Sequence, residues 1–367
     1  MKKKAYSISA LFLTGSLLLA ACGDGNGNDG NDANVGNDNN NTVDNADNDN
    51  AADNGNDDNE ANDGAASDAN IGNLQLGTGS TGGTYYPLGQ EMANVINANI
   101  EGFDGFDLSA VSTGASVENL ASIYQGELEL GMTVHIPARD ALDGTGDFEE
   151  LGLSVDNFGF MGHIYPEVMQ IVVRADAGIE SVADLEGSNI AIGPPGSGTQ
   201  AAARLILEAY GLEDGDYTAF EEGFGDAAGR LQDGNLDASF GLLGLPAGNI
   251  EELSLQRDIE LLTLSEEALD EIEANSGYER MEIPADSYDF MDEPVQAITA
   301  YAILVGSTDT IDEDLGYEIT RALFENSGDI SHAQGAHLTK ENAMNGSEGL
   351  PLHPGAERYF EEEGLLE

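Results

Sequence analysis

GTGSTGGTYYP, residues 77–87, follows the short apolar run Leu74-Gln75-Leu76 and precedes a segment whose Leu88, Met92 and Ile96 recur at helical spacing. Pro87 suits a first helical turn, where a missing N–H is no loss. A strand, a glycine loop and a helix start together place free backbone N–H groups and the positive end of the helix dipole toward an anion. The same pattern returns at Ile190-Ala191-Ile192, the loop GPPGSGT (193–199) and a helix carrying Leu205, Ile206 and Ala209. Two such loops on separate α/β units predict a ligand held between two lobes. Taken singly, either loop is also a plain tight turn.

More specialised readings of these loops fail on particular residues. Gly77-x-Gly79-x-x-Gly82 fits a dinucleotide fingerprint, with Glu101 near the place of a ribose-binding acid, but a lone match is weak. The second loop has the outline of a phosphate loop without its lysine. Neither Ser80 nor Ser197 lies in a G-x-S-x-G elbow, because Thr78 and Pro195 occupy the first glycine positions.

The N-terminus bounds the setting. Lys2, Lys3 and Lys4 precede an apolar segment over 8–21, and Leu19-Ala20-Ala21-Cys22 has the form of a lipoprotein cleavage site. The segment is short for a membrane span and reads as a signal peptide, residues 1–22 ending at a lipidated Cys22. Cys22 is the only cysteine, which leaves no disulfide and no thiolate metal site. The mature chain is then expected on the outer face of the cytoplasmic membrane, anchored by lipid. Residues 23–70 are almost wholly Asn, Asp, Gly and Ala and cannot offset their chain entropy by burial, so they are expected to be a disordered acidic tether. Asp24-x-Asn26-x-Asn28 lacks the glycine and the flanking helices of a calcium loop.

The formal net charge is −57, and loss of three signal lysines leaves nine basic side chains against 69 acidic ones. Nucleic-acid binding needs the opposite sign. A folded domain this acidic is best explained by a salty environment, where self-repulsion is screened.

Beyond residue 70 strands and helices alternate, as in an α/β fold. Leu108 to Val111 is a strand; Ser112 to Ser116 leads into a helix bearing Val117, Leu120 and Ile123, a third N-terminus with Ser116 as its cap. Val134 to Pro137 reads as a turn, and its His135 as a ligand contact or a packing residue. Met169 to Arg174 is a strand whose terminal arginine either clamps a carboxylate or pairs with a neighbouring acid. Tyr278 to Glu293 has little periodicity and is expected to be loop, and 297–305 a buried strand. About 300 folded residues exceed one comfortable core, which again predicts two lobes.

These residues resemble a known family. GTGSTGGTYYPLG (77–89), STGASVENL (112–120), GHIYPEVMQIVVRAD (162–176), SVADLEGSNIAIGPPGSGTQ (181–200), LQDGNLDASFGLLGLP (231–246) and LPLHPGAERYF (350–360) are similar to the TAXI subclass of solute-binding proteins that serve TRAP transporters. Thr133-Val134-His135 stands where related sequences often carry Gln-Ser/Asn-Asp. The resemblance implies a two-lobe type II periplasmic-binding-protein fold with two hinge strands crossing near 172–175 and 293–299. Lobe one is then 71–172 with 299–367, and lobe two 173–298. It implies no enzyme activity and no cofactor. The ligand would be a small carboxylate such as glutamate, 2-oxoglutarate or a dicarboxylate, and the partner the membrane subunits of an ion-coupled TRAP permease.

The expected ligand contacts are Ser80, Thr81, Gly82, Gly83, Thr84 and Tyr85 from the first loop, Thr113, Ser116 and Glu118 from the third, and His135 and Arg174. Gly196, Ser197, Gly198 and Thr199 would face them from the other lobe. No metal site is expected. A secreted enzyme using the same cleft, or a sensory lipoprotein, are the competing readings; the enzyme lacks a catalytic serine elbow and metal-spaced histidines.

Overall fold

The computed structural model describes residues 73–366. The signal segment, Cys22 and the 23–70 tether lie outside the described residues. The first half of the chain runs β1 (Asn73–Gly77), α1 (Tyr85–Asn99), β2 (Asp107–Val111), α2 (Ser116–Gln125), β3 (Leu130–Val134), α3 (His135–Asp143) and α4 (Asp147–Leu151), then the long strand β4 (Phe158–Arg174). β5 (Asn189–Ala191), α5 (Gly198–Ala209), β6 (Thr218–Phe220), α6 (Phe224–Asp233), β7 (Ala238–Leu243), α7 (Gly248–Ser254), β8 (Ile259–Leu261), α8 (Glu266–Asn275) and β9 (Glu279–Ile283) follow. β10 (Val295–Ser307), α9 (Glu313–Glu325) and α10 (Pro354–Glu362) close the chain.

The strands lie in the order β2-β1-β3-β10-β4-β7-β5-β6. β1 pairs parallel with both β2 and β3, and β5 pairs parallel with both β6 and β7. Each trio has the parallel pairing that βαβ crossovers produce. Between the trios stand β4 and β10, antiparallel to each other and to their outer neighbours. The seventeen residues of β4 reach about 3.3 Å each, enough to serve both trios. It pairs with β10 as far as Val168, then with β7 from Val168 to Val173. The exchange of partners therefore comes at Val168, ahead of the 172–175 crossing expected from the sequence. On β10 it falls where β9 pairing ends at Thr299 and β3 pairing begins at Ala302, close to expectation.

Burial follows the same division. Leu76, Leu88, Met92 and Ile96 pack with Ile303, Ile319, Leu323 and Phe360 in one core. Ile171, Val173, Ile190, Ile206, Phe240 and Leu269 form another, flanked by a smaller cluster under α6 and α7 around Ala227, Leu231 and Ile250. The α/β architecture of two cores joined by crossing strands is the one the sequence predicts.

Two local expectations need correction. His135 and Pro137 open α3 rather than forming a turn, since proline in a first helical turn forfeits no hydrogen bond. Glu279–Ile283 is a strand, not loop, pairing with β10 at the edge of the sheet; its mixed composition reflects a strand buried on few sides.

Candidate functional site

Four helices begin at one cavity. The β1–α1 loop contributes Gly79, Ser80, Gly83 and Tyr85, and the loop before α2 contributes Gly114, Ala115 and Ser116. From the other core come Gly193, Pro194, Ser197, Gly198 and Thr199 ahead of α5, and Phe224 at the start of α6. Val134, Glu167 and the β7 segment Phe240 to Leu243 complete the walls. The cavity volume is about 60 Å³; at about 10–15 Å³ per water on that measure it has room for about four to six waters, the bulk of a small organic acid.

Every helix start leaves its first N–H groups without an intrahelical acceptor. At α5 Ser197 Oγ accepts from Gln200 N at 3.0 Å and satisfies one of them. At α1, α2 and α6 no side chain caps the terminus; Ser116, expected as the cap of α2, is instead its first residue, and its Oγ accepts from Val134 N at 3.1 Å. Three helix N-termini without a side-chain cap therefore meet at one cavity, the kind of terminus that suits an anion. No lysine or arginine lines it, and eight of the nine basic side chains of the described residues are paired with acids on the protein's own surface. The loop before α5 owes its shape to Gly193 and Gly196, both in the left-handed region at φ 92° and 74°.

The two cores touch around the cavity. Val117 N donates to Gly196 O at 2.9 Å, Gly244 N to Thr84 Oγ1 at 3.1 Å, and Asn249 Nδ2 to the carbonyl of Gly82. The backbones of Gly82 and Gly225 are so close that a Cβ on Gly82 would stand 2.5 Å from Gly225 Cα.

Of the residues singled out in the sequence, Ser80, Gly83, Tyr85, Ser116, Ser197, Gly198 and Thr199 line the cavity. Thr81, Gly82, Thr84 and Gly196 belong to the same loops without lining it. Thr113 is occupied with Asn119 Oδ1 at 2.7 Å and Thr78 O. Glu118 turns back to accept from Gly114 N at 2.9 Å. His135 is buried with its Nδ1 accepting from Tyr301 N, and burial holds its imidazole down to about 4.

Arg174 stands apart from the cavity. Its guanidinium is divided among Leu236 O (2.8 Å), Asp176 (2.8 Å) and Asp237 (2.7 Å), with its side chain 14% exposed. The acid-pairing alternative describes its position. Arg174→Ala is expected to lower stability by about 1–2 kcal/mol, from one backbone bond and a partly buried ion pair, while ligand affinity measured by calorimetry stays within about twofold. A loss of affinity with unchanged melting would place Arg174 back at the ligand.

The residue that sequence reasoning missed is Glu167. It is 2% exposed, in the middle of β4. Its Oε1 accepts from Tyr165 Oη at 2.9 Å. Oε2 and the Tyr85 hydroxyl are both buried without a hydrogen-bond partner, near enough for each to influence the other's titration. Burial pushes the carboxyl up to about 8, against the smaller downward pull of the two phenols. The sequence signal was one acid in the apolar run from Phe158 to Val173.

Among the described residues no group of three or more His, Cys, Asp and Glu side chains could hold a metal ion, and no helix is long and apolar enough to cross a membrane.

The NMT1-like family matches residues 76–364. Among solved structures the chain is similar to the alkanesulfonate-binding protein SsuA from Xanthomonas axonopodis pv. citri bound to MOPS, at 16% identity over 79% of this chain and 83% of that one, TM-score 0.44. It is similar to the periplasmic aliphatic sulphonate binding protein SsuA from Escherichia coli at 18% identity over 79% and 82%, TM-score 0.42. A binding protein component of an ABC phosphonate transporter from Pseudomonas aeruginosa gives 10% identity over 72% and 77%, TM-score 0.46. At such identities the ligands of those proteins say nothing about the ligand of this one.

Proposed function

We propose that this chain, which belongs to the NMT1-like family, is an extracytoplasmic solute receptor that binds a small carboxylate and delivers it to a membrane transporter. One observation carries the reading: three uncapped helix N-termini, drawn from both cores, line a cavity that has no basic side chain. Backbone N–H groups fixed in place neutralise a carboxylate without the desolvation that burying an arginine would cost. A ligand touching both cores favours the arrangement in which they meet, and that preference lets binding shift the population toward closure.

The finer terms rest on the TAXI resemblance. They are a TRAP-type ion-coupled permease as partner, a lipid anchor at Cys22, and glutamate, 2-oxoglutarate or a dicarboxylate as solute. Catalysis has little to support it, since no histidine lines the cavity beside its serines and threonine.

A thermal-shift screen of amino acids, keto acids and dicarboxylates in molar salt tests the reading. Salt is needed because a domain of this charge repels anions at long range. A ligand at about 100 times its dissociation constant adds about 2.7 kcal/mol, which for a folded domain of this size raises the melting temperature by about 4 °C. No shift from any small acid would overturn the assignment.

A further inference from the structure

Glu167 is the one carboxyl lining the cavity, which has no histidine, lysine or arginine, and the carboxylate cradle does not use it. A carboxyl buried to 2% exposure, with one oxygen unpartnered and no cation beside it, is a costly arrangement in an unliganded protein. The groups facing it are phenols: Tyr165 on its own strand, Tyr85 on α1, and Tyr278 just ahead of β9. None of them supplies a positive charge. The cavity therefore presents both helix N-termini and a buried carboxyl that no cation neutralises.

We propose that Oε2 of Glu167 receives the ammonium of a zwitterionic ligand, so that the site takes an α-amino acid in preference to the keto acid of the same skeleton. This rests on the reading that the cavity binds a small carboxylate, and it narrows the solute class within that reading. An ammonium at 2.8–3 Å would complete a charge-assisted hydrogen bond, while the ligand's carboxylate lies on the N–H groups. A keto acid offers only an acceptor at the same place and meets the carboxyl only while that carboxyl keeps its proton.

The two cases have opposite proton linkage. With the carboxyl held up to about 8 by burial, most of the unliganded protein is protonated at Glu167 near neutrality. Ammonium binding then expels that proton, and affinity for the amino acid rises by up to about tenfold per pH unit below 8. Keto-acid binding retains the proton, and its affinity falls as pH passes through the same value.

Calorimetry on the full chain in molar salt, from pH 6 to 9 and in buffers of differing ionisation enthalpy, decides it. The probes are three matched pairs: glutamate and 2-oxoglutarate, alanine and pyruvate, leucine and 4-methyl-2-oxopentanoate. The expected result is an amino acid bound at least about tenfold more tightly than its keto partner, with release of close to one proton at pH 7. Glu167→Gln is expected to weaken the amino acid about 100-fold, to flatten its pH dependence and to leave the keto acid within a few-fold. A keto acid bound as tightly as its amino partner, or an unchanged amino-acid preference in Glu167→Gln, overturns this inference and leaves the receptor reading standing. Binding of neither series overturns both.

Discussion

Glu167→Gln is expected to stabilise the unliganded protein by about 3–5 kcal/mol at pH 8 and above, and by almost nothing below pH 4. The carboxyl titrates near 4.5 in the unfolded chain and about 8 in the folded one, raised chiefly by burial. The unfolded state thus loses its proton first as pH rises, and wild-type stability falls from about pH 4.5 until the folded carboxyl also ionises near 8. Glutamine carries no such penalty. Its carbonyl still accepts from the Tyr165 hydroxyl, and its amide can donate to the partnerless oxygen of Tyr85. His135 and His163, both buried and held down to about 4, tilt the curve the other way: their stabilisation is lost as pH falls from about 6.5 toward 4. They are common to both proteins and cancel in the difference. Urea midpoints of wild type and variant from pH 4 to 9 test the expectation; parallel curves would mean that Glu167 titrates as an exposed carboxyl does. A wild type less stable than its variant is what a residue retained for binding leads one to expect.

What was legible in the sequence was local. Glycine loops between an apolar run and a helical pattern place α1, α2 and α5 and aim their N-termini, because strand, turn and helix signals lie within about fifteen residues of each other. The pattern places a short helix at Asp226 to Gly234, and α6 starts two residues earlier because Gly223-Phe224-Gly225 carries no capping side chain to mark the end. Arg174 shows the limit of local reasoning. That it ends a strand is visible in the sequence, but that Asp237, on the segment entering β7, meets its guanidinium depends on the pairing of β4 with β7. Glu167 shows a missed inference. An acid inside a run that buries both faces has no solvent to turn to, and such a residue is either paired or functional. Its position beside Tyr85 depends on α1 packing over the sheet, which spacing alone does not give.

Gly82→Ala is expected to weaken ligand binding by about 5- to 150-fold, the equivalent of about 1–3 kcal/mol of overpacking, and Gly82→Val to abolish it. A Cβ at Gly82 would lie 2.5 Å from Cα and 2.8 Å from N of Gly225. Both are backbone atoms, so neither can rotate away as a side chain would. Gly82 belongs to the β1–α1 loop and Gly225 to the first turn of α6, one from each core, in direct backbone contact. An added methyl therefore strains the arrangement in which the cores meet and leaves each core as it was. The strain falls on the arrangement in which Gly82 and Gly225 meet, and where binding requires that arrangement the penalty appears as lost affinity. The unliganded melting temperature should stay within about 2 °C, since no buried core residue changes. Gly229→Ala, on α6 with nothing within 4 Å of the added methyl, is the control and should bind as wild type while gaining a few tenths of a kcal/mol of helix propensity or more. Calorimetry with the ligand found by thermal shift, alongside scattering to follow ligand-induced contraction, separates the cases. Wild-type affinity in Gly82→Ala would mean that the solute is gripped without the two loops coming together, and that the contact between Gly82 and Gly225 plays no part in closure.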